Sequence, residues 1–488
     1  MPMHGFDPFV AGLPDVSLTP HERLELLCDH GTVHRIRSSV RSRRFGPNAV
    51  AGDGVVGAAG KIGGRPVFCY AQDGRVAGGS LGEAHADTIV RVMRLAREAQ
   101  VPVVAVIQSA GARVQEATAA LAGYARIFRE NVALSGRVPQ ISIVSGTSAG
   151  GGSYSPALTD FIVMTRGSSM FLTGPGIVKQ TCGEECSAEE LGGTGVHQRN
   201  GVAGFVVPGD VDAVFLARQL LGYLPQNAWE HPPMGPPGAA PEANPGACVP
   251  RDPRQIYDVR DVVGAIVDDG HLLEMSPKWA RNIVVGLARL EGRPVGIVAN
   301  QPRYIGGVLD VQASMKGAKF VRMCNTFGLP LVVLVDTPGF LPGRRQESDG
   351  VIRHGATLLH AFAESTVPRL TVVLRQAYGG AYITMNAKDL GADFAYAWPR
   401  ARIGIMGAAQ AVSIVHRREL AEAEDPEALL AELTQAYADE HQNALGAAAD
   451  GFIDEVIAPS DTRQRLCHAL ATLGHKVGAR GQGSRALP

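Results

Sequence analysis

Two glycine-rich segments carry the residues of this chain that are best suited to chemistry. The first spans residues 145–154. It follows an apolar run at residues 138–144 that predicts a buried strand, and helix-compatible residues 155–159 come after it. Glycines at such a junction let the backbone turn with its N–H groups unpaired, and a helix start adds further donors. Sheltered from water, these donors suit a developing oxyanion. The alternative is a tight turn in which glycine serves packing only.

A second segment of the same kind occurs in the other half of the chain. An apolar run at residues 370–374 leads into Arg375-Gln376-Ala377-Tyr378-Gly379-Gly380-Ala381-Tyr382. Gly64-Arg65-Pro66-Val67 matches Gly292-Arg293-Pro294-Val295 at a spacing of 228, and Gly150-Gly151 matches Gly379-Gly380 at 229. Equal spacing of several features predicts two copies of one domain.

The elements between these segments indicate a layered α/β architecture. Residues 55–62 and 67–71 predict a hairpin around Gly63-Gly64, and residues 84–100 predict a helix ahead of a strand at residues 101–108. Nine prolines lie between Pro225 and Pro253, a composition typical of a linker. The predicted division is therefore an N-terminal domain at 1–235, a proline-rich linker at 236–253 and a C-terminal domain at 254–488.

Composition excludes several classes of function. The net charge is −1, from 46 basic and 47 acidic residues, which gives no support for a nucleic-acid or membrane-surface partner. The seven cysteines are scattered, with Cys182 and Cys186 as the only close pair, so we expect reduced thiols, a cytoplasmic protein and no metal site. The first residues lack the pattern of a signal peptide, and no apolar stretch is long enough to span a bilayer.

Two oxyanion sites imply a reaction with two developing oxyanions. One could be the enolate of a thioester, and the other a second carbonyl compound that gives or takes a group. A serine hydrolase is the competing interpretation, because Gly146-Thr147-Ser148-Ala149-Gly150 fits the Gly-x-Ser-x-Gly pattern. Against it, the hydrolase pattern does not occur twice in a chain, and the second segment has no serine at the equivalent place.

Longer motifs give the chain a specific resemblance over residues 18–473. It resembles the carboxyltransferase (β) subunit of biotin-dependent acyl-CoA carboxylases, of the propionyl-CoA and acetyl-/propionyl-CoA carboxylase type. The resemblance implies a tandem duplication of two crotonase-like (ClpP/crotonase) domains. The motifs are Gly78-Gly79-Ser80-Leu81-Gly82-Glu83-Ala84-His85, Pro139-Gln140-Ile141-Ser142, Tyr154-Ser155-Pro156-Ala157-Leu158-Thr159-Asp160, Glu190-Leu191-Gly192-Gly193, Ala299-Asn300-Gln301-Pro302, Asp336-Thr337-Pro338-Gly339-Phe340-Leu341-Pro342-Gly343 and Ala377-Tyr378-Gly379-Gly380-Ala381-Tyr382.

The resemblance also implies roles at the two segments. Acyl-CoA is expected on the N-terminal domain of one subunit and carboxybiotin on the C-terminal domain of another, within a hexamer. Gly150 and Gly151 would hold the thioester enolate oxygen. Gly380 and Ala381 would hold the ureido oxygen of biotin, in a site that the neighbouring residues Tyr378 and Gly379 complete. Carboxybiotin would release CO2, the biotin anion would take the α-proton, and the enolate would attack CO2.

Other residues are expected on the substrate side. They are Ala110, Gly111, Ala112, Arg113, Tyr154 and Ile383. Arg113 could pair with CoA phosphates or form an ion pair with Glu116, and the sequence leaves both interpretations open. Ile383 would face the acyl pocket, and an apolar wall there predicts several short acyl groups with propionyl preferred.

The partners follow from what the sequence lacks. It contains no Met-Lys-Met biotinylation site and no ATP-grasp machinery, so the biotin carboxyl carrier and the biotin carboxylase are expected on other chains. A biotin-dependent decarboxylase or transcarboxylase subunit is the alternative function, since it uses the same two sites. A scaffold without activity is a third hypothesis, and the two intact glycine segments argue against it.

Overall fold

The computed structural model describes residues 18–252, 255–474 and 476, and it divides into two compact units between Leu221 and Gly222. In the first unit the strands form one sheet in the order β1-β2-β3-β4-β5-β6-β8, with β7 paired to β5. The strands are β1 (His34–Ile36), β2 (Val55–Ile62), β3 (Arg65–Gln72), β4 (Val103–Ser109), β5 (Gln140–Ala149), β6 (Phe161–Thr165), β7 (Ser169–Phe171) and β8 (Phe205–Val207). The helices are α1 (Pro20–Leu27), α2 (Glu83–Ala99), α3 (Thr118–Leu134), α4 (Gly151–Ala157), α5 (Pro175–Cys182), α6 (Ala188–Gly192), α7 (Thr194–Asn200) and α8 (Asp210–Tyr223).

The second unit repeats this sheet. Its strands follow the order β16-β14-β13-β12-β11-β10-β9, with β15 paired to β13. They are β9 (Leu273–Met275), β10 (Ile283–Leu290), β11 (Arg293–Asn300), β12 (Leu331–Thr337), β13 (Arg369–Tyr378), β14 (Phe394–Ala397), β15 (Arg402–Gly404) and β16 (Glu455–Val456). The helices are α9 (Val259–Gly264), α10 (Val311–Thr326), α11 (Arg344–Ser348), α12 (Val351–Glu364), α13 (Gly379–Thr384), α14 (Ala408–Val415), α15 (Arg417–Glu422), α16 (Pro426–His441), α17 (Ala444–Ala449) and α18 (Thr462–Thr472).

The predicted duplication is confirmed strand by strand. β3 and β11 begin and end 228 residues apart, as do β4 and β12, and the spacing becomes 229 at β5 and β13. In each unit a hairpin pairs antiparallel and the following strands pair parallel. Helices pack on the sheet through the apolar face that the sequence predicts, with Val92 and Met93 of α2 buried in the first core.

The hairpin turn of the first unit is held by one carboxylate. Asp29, just after α1, accepts the backbone N–H groups of Gly63 and Gly64 at 3.0 and 2.8 Å. Arg218 of α8 donates to the same carboxylate at 3.0 Å and also to the Leu27 carbonyl. The contact therefore joins the beginning and the end of the unit at its hairpin.

The second unit closes in the same way. Asp268 accepts the N–H groups of Glu291 and Gly292 at 2.9 and 2.7 Å, and Arg463 of α18 donates to it at 2.6 Å. Arg463 also donates to the Ile266 carbonyl, as Arg218 does to its counterpart. The match extends the duplication from strands to individual side chains.

The proline-rich segment belongs to the second unit. Arg289 donates to the carbonyl oxygens of Gly222 and Pro233, and the N–H of Gly235 donates to the Gly292 carbonyl at 2.9 Å. The boundary between the two units therefore lies before residue 235, the position at which the sequence predicts the end of the first domain. The prolines belong to the second unit because they follow its surface. In the described part of the chain, no helix is long and apolar enough to cross a membrane.

Candidate functional site

A bulge precedes the glycine segment in each unit. In the first unit, residues 145–147 of β5 lie opposite Gln108 alone in β4. In the second unit, residues 374–376 of β13 lie opposite Asp336 alone in β12. A bulge of this kind bends one strand and changes the direction of the residues that follow. Both bulges direct the chain into a tight turn and a helix start, which we call the first elbow (residues 149–152) and the second elbow (residues 378–381).

The first elbow presents its donors from Gly151 onward. Gly150 turns the chain with a φ of 56°, and its own N–H donates to the Phe171 carbonyl at 2.9 Å. Gly151 begins α4, so its N–H has no acceptor inside the helix. Among the described residues, no backbone carbonyl elsewhere accepts it either. Gly150 therefore forms the turn. Its N–H, which was predicted to donate to the substrate, already donates to the Phe171 carbonyl.

The Tyr124 ring lies directly under the first elbow. A Cβ atom on Gly151 would stand 2.8 Å from this ring, so a side chain does not fit there. Tyr124 is buried, and its hydroxyl lies 3.2 Å from Ser109 Oγ. Ser148 is fully buried, and its hydroxyl has no hydrogen-bond partner among the described residues. A hydrolytic nucleophile needs exposure and a base within reach, so the hydrolase interpretation is wrong.

The loop after β4 runs beside the first elbow, as the sequence predicts. Ala110 donates its N–H to the Gly78 carbonyl at 3.0 Å, and Ala112 pairs with Leu81. A Cβ atom on Gly111 would lie 3.3 Å from the Ala149 carbonyl oxygen, so this loop and the end of β5 are neighbours. Tyr154 is half exposed on α4, and its ring meets the edge of Phe128 with centroids 6.0 Å apart.

Arg113 forms part of a buried ion-pair cluster. Its guanidinium donates to Asp53 at 2.7 Å and to Glu116 at 2.8 Å, and it lies 4.3 Å above the centre of the Phe45 ring. The residue is 1% exposed. Burial raises the pKa of the Asp53 carboxyl above its ordinary value, although Arg113 opposes the rise. The ion pair with Glu116, one of the two interpretations that the sequence leaves open, is therefore formed, and the buried guanidinium is already engaged by two carboxylates.

The second elbow offers two adjacent donors. Gly379 turns the chain with a φ of 59° at the start of α13, and Gly380 and Ala381 follow in the first turn of that helix. Their N–H groups have no intrahelical acceptor, and within the described ranges no other backbone carbonyl accepts them. A Cβ atom on Gly380 would meet only the edge of Phe340, at 3.8 Å.

Apolar side chains surround the second elbow. Ile383 is 48% exposed on α13, and Ile405 is 80% exposed, with its carbonyl beside Gly379. Burial raises the pKa of Tyr378 above its ordinary value and that of Tyr382 to about 12, so both phenols stay protonated at neutral pH. This elbow therefore combines two backbone donors with exposed apolar side chains at Ile383 and Ile405.

Sequence reasoning missed a polar cluster behind the second elbow. Asp336 accepts hydrogen bonds from the Tyr257 hydroxyl at 2.7 Å, from Arg375 Nε at 3.0 Å and from the Gln376 N–H at 3.2 Å. Its side chain is 1% exposed. The available signal was position, because Asp336 follows Gln108 by 228 residues and both lie opposite a bulge. As for metals, no group of three or more His, Cys, Asp or Glu side chains in the described ranges could hold an ion.

The fold and the two elbows together indicate the class of protein to which this chain belongs. The chain has two copies of a crotonase-like unit, each with backbone donors at a helix start, an arrangement suited to a developing oxyanion. The carboxyl transferase domain family matches residues 13–482, so the chain belongs to the carboxyltransferase family.

Known proteins of this family are similar over nearly their whole length. The carboxyltransferase subunit of propionyl-CoA carboxylase from Haloferax mediterranei is 47% identical over 94% of this chain and 91% of its own. The alpha subunit of methylmalonyl-CoA decarboxylase from Veillonella parvula is 45% identical, over 94% and 90%. A crystal structure of transcarboxylase 12S, a hexamer with methylmalonyl-coenzyme A and methylmalonic acid bound, superposes with a TM-score of 0.91 at 46% identity over 95% and 90%.

Proposed function

We propose that this protein is the carboxyltransferase subunit of a biotin-dependent complex and carboxylates the α-carbon of short-chain acyl-CoA thioesters. Propionyl-CoA is the preferred substrate, acetyl- and butyryl-CoA are accepted, and the products are of the methylmalonyl-CoA type. The observation that carries the proposal is the pair of elbows with unpaired backbone donors at Gly151 and at Gly380 and Ala381. Transfer between two carbonyl compounds requires one such site for each.

At the first elbow, the chain stabilises the thioester. The Gly151 N–H donates to the thioester oxygen as negative charge develops there, and Gly150 supplies the turn that aims it. Ala110, Gly111 and Ala112 border the acyl-CoA, and Tyr154 lies at the exposed side of α4. The charge on the oxygen is larger in the transition state than in the ground state, so this donor lowers the barrier.

At the second elbow, the residues fit the ureido group of biotin. The N–H groups of Gly380 and Ala381 are adjacent and unpaired, as a carbonyl oxygen requires, and Ile405 offers contact to an uncharged ring. Ile383, also exposed on α13, faces the acyl group that receives the carboxyl group. When bound, carboxybiotin supplies the carboxyl group and the base that takes the α-proton. The part of this chain is to hold the ureido oxygen and stabilise the charge that develops on it.

The partners in this proposal are a biotin carboxyl carrier and a biotin carboxylase on other chains. We extend to this protein the hexamer of transcarboxylase 12S, given a TM-score of 0.91. Light scattering on the purified protein tests the assembly, and a monomer that turns over acyl-CoA would contradict it. We also place the protein in the cytoplasm, where the seven unpaired cysteines stay reduced.

The experiment that tests the activity uses the purified protein with free biotin and methylmalonyl-CoA. Biotin-dependent loss of CO2 with formation of propionyl-CoA is expected, because the elbows act in both directions. Gly151→Val and Ala381→Val are each expected to reduce its kcat by about 10²–10³-fold, the cost of losing one such donor. No turnover of malonyl-, methylmalonyl- or ethylmalonyl-CoA would leave only the scaffold hypothesis.

A decarboxylase or transcarboxylase subunit is the second candidate. The 45% identity to a methylmalonyl-CoA decarboxylase subunit and the likeness to transcarboxylase 12S favour it. The native complex separates the candidates, because only a carboxylase incorporates labelled bicarbonate into propionyl-CoA when ATP is supplied. Transfer of label from methylmalonyl-CoA to another acceptor without ATP indicates the second candidate instead.

A further inference from the structure

The bulge ahead of the second elbow is bridged by a buried carboxylate. Asp336 is the one residue of β12 that faces residues 374–376. Two of its hydrogen bonds end on the bulge itself, from the Arg375 guanidinium at 3.0 Å and from the Gln376 N–H at 3.2 Å. Gln376 lies four residues before Gly380. The carboxylate therefore fixes the backbone that leads directly into the elbow.

The same cluster holds the bulge from its other side. Tyr257 donates its hydroxyl to Asp336 at 2.7 Å, and the Arg375 guanidinium lies 5.2 Å from the centre of the Tyr257 ring. Arg375 also donates to the Gln255 carbonyl at 2.8 Å. The bulge residue Arg375 is thus tied to β12 and to the segment before α9, which leaves its backbone little freedom.

Burial makes this arrangement specific. The Asp336 side chain is 1% exposed and that of Arg375 is 12% exposed. If the ion pair separated, water could therefore not replace the lost hydrogen bonds of Asp336. A desolvated ion pair is stable only while its hydrogen bonds keep their geometry. Asp336 is too buried to meet a substrate, so its effect on chemistry must act through the backbone it holds.

In the first unit, β4 carries no charge at the position equivalent to Asp336. Gln108 takes the place of Asp336, and Gly146 takes the place of Arg375. The Gln108 amide packs 3.0 Å from where a Cβ atom on Gly146 would be. The carboxylate at this bulge comes from a helix instead of β4, since Ser145 donates its hydroxyl to Asp210 of α8. The duplicated units therefore hold their elbows by different means, and a change at Asp336 affects the second elbow alone.

We infer that Asp336, Arg375 and Tyr257 are positioning residues for the second elbow: they fix the direction of the Gly380 and Ala381 N–H groups and so control the biotin side of the reaction. The assignment to biotin rests on the proposed function. The positioning itself does not, because it follows from the hydrogen bonds across the bulge.

Kinetics with the intact protein test the biotin side. Asp336→Asn keeps the shape of the side chain and removes its charge. In the methylmalonyl-CoA assay it is expected to raise KM for free biotin or lower kcat by about 10- to 100-fold, the range for a misplaced catalytic group. KM for the thioester is expected to stay within twofold. Gln108→Asn is the matched change at the first bulge and is expected to move KM for the thioester instead.

Two further variants separate positioning from loss of folding. Tyr257→Phe removes one hydroxyl and is expected to shift KM for biotin in the same direction as Asp336→Asn, by a smaller factor. Arg375→Lys keeps the charge and is expected to restore part of what Arg375→Gln loses. Equal shifts in both KM values, or variants within twofold of the wild type, would overturn the inference.

Hydrogen exchange supplies a readout that needs no substrate. In Asp336→Asn, amides in the peptide covering residues 374–385 are expected to exchange at least tenfold faster, and those in residues 145–156 to stay unchanged. Exchange that is equal to wild type in residues 374–385 would refute the positioning role. If the wild-type protein turns over no thioester, the proposed function fails, and exchange still decides on the positioning role.

Discussion

Gly151 is the position in the first elbow where the structure leaves no room for a side chain. A methyl group there would stand 2.8 Å from Cγ and Cδ2 of Tyr124, against about 3.4 Å or more for an ordinary contact. The Tyr124 ring is 5% exposed, stacks on Phe128 and has its hydroxyl beside Ser109 Oγ. Since the ring cannot swing into solvent, Gly151→Ala must lift the elbow or displace the ring by about 0.6 Å.

The size of the effect follows from that displacement. Overpacking of this kind costs about 1–3 kcal/mol of stability. A shift approaching 1 Å at a donor lowers the rate by up to about 10²-fold. We therefore expect Gly151→Ala to reduce kcat by 10- to 100-fold while lowering the free energy of unfolding by about 1–3 kcal/mol.

The assay is biotin-dependent loss of CO2 from methylmalonyl-CoA, with urea denaturation for stability. Gly222→Ala in α8 is the control, because a Cβ atom there meets nothing within 4 Å. It is expected to retain full activity and to gain about 0.4–1 kcal/mol of stability. Tyr124→Leu added to Gly151→Ala is expected to recover part of the lost activity by removing the ring. A folded Gly151→Ala protein with wild-type kcat would refute the placement of the donor.

Three further changes have defined outcomes. Ile383→Asp is expected to alter the ratios of kcat/KM among acetyl-, propionyl- and butyryl-CoA, since an apolar contact contributes about 0.8 kcal/mol per methylene; unchanged ratios would show that Ile383 sets no preference. Arg113→Ala leaves Asp53 and Glu116 buried without their cation and is expected to lower the free energy of unfolding by about 3–5 kcal/mol in urea denaturation, whereas a loss limited to KM for acyl-CoA would favour a phosphate contact. Burial lowers the pKa of His85 to about 3, so the unfolded chain binds a proton that the folded one does not as pH falls below about 6.5. Stability is therefore expected to fall by about 1.4 kcal/mol per pH unit in that window, and His85→Gln to remove this slope.

The duplication and the elbows were accessible from sequence because they are local patterns repeated at a fixed spacing. Apolar runs set the strands, and the match of β3 to β11 follows from Gly64-Arg65-Pro66-Val67 and its copy. The glycine segments at the ends of those strands predicted two oxyanion sites, and the type of reaction followed from the resemblance that the longer motifs carry. Both inferences need only the order of residues along the chain.

The features of the site that could not be predicted from sequence depend on contacts between residues far apart in the chain. The N–H of Gly150 is engaged by Phe171, across the pairing of β5 with β7. Tyr257 meets Asp336 from 79 positions away, and Arg113 meets Asp53 from 60. No periodicity along the chain records these contacts. The lack of room for a Cβ atom at Gly151 could not be predicted either, because it depends on how Tyr124 of α3 packs beneath the first elbow.

The ion pairs at the two hairpin turns set the earliest time at which each unit can complete its fold during synthesis. Arg218 follows its partner Asp29 by 189 residues in the chain, and Arg463 follows its partner Asp268 by 195 residues. At roughly 5–20 residues per second, the ribosome needs about ten seconds or more to deliver each arginine. The first unit can therefore complete its fold while the second is still being synthesised. The strands of the second unit are then not yet present to pair with the sheet of the first.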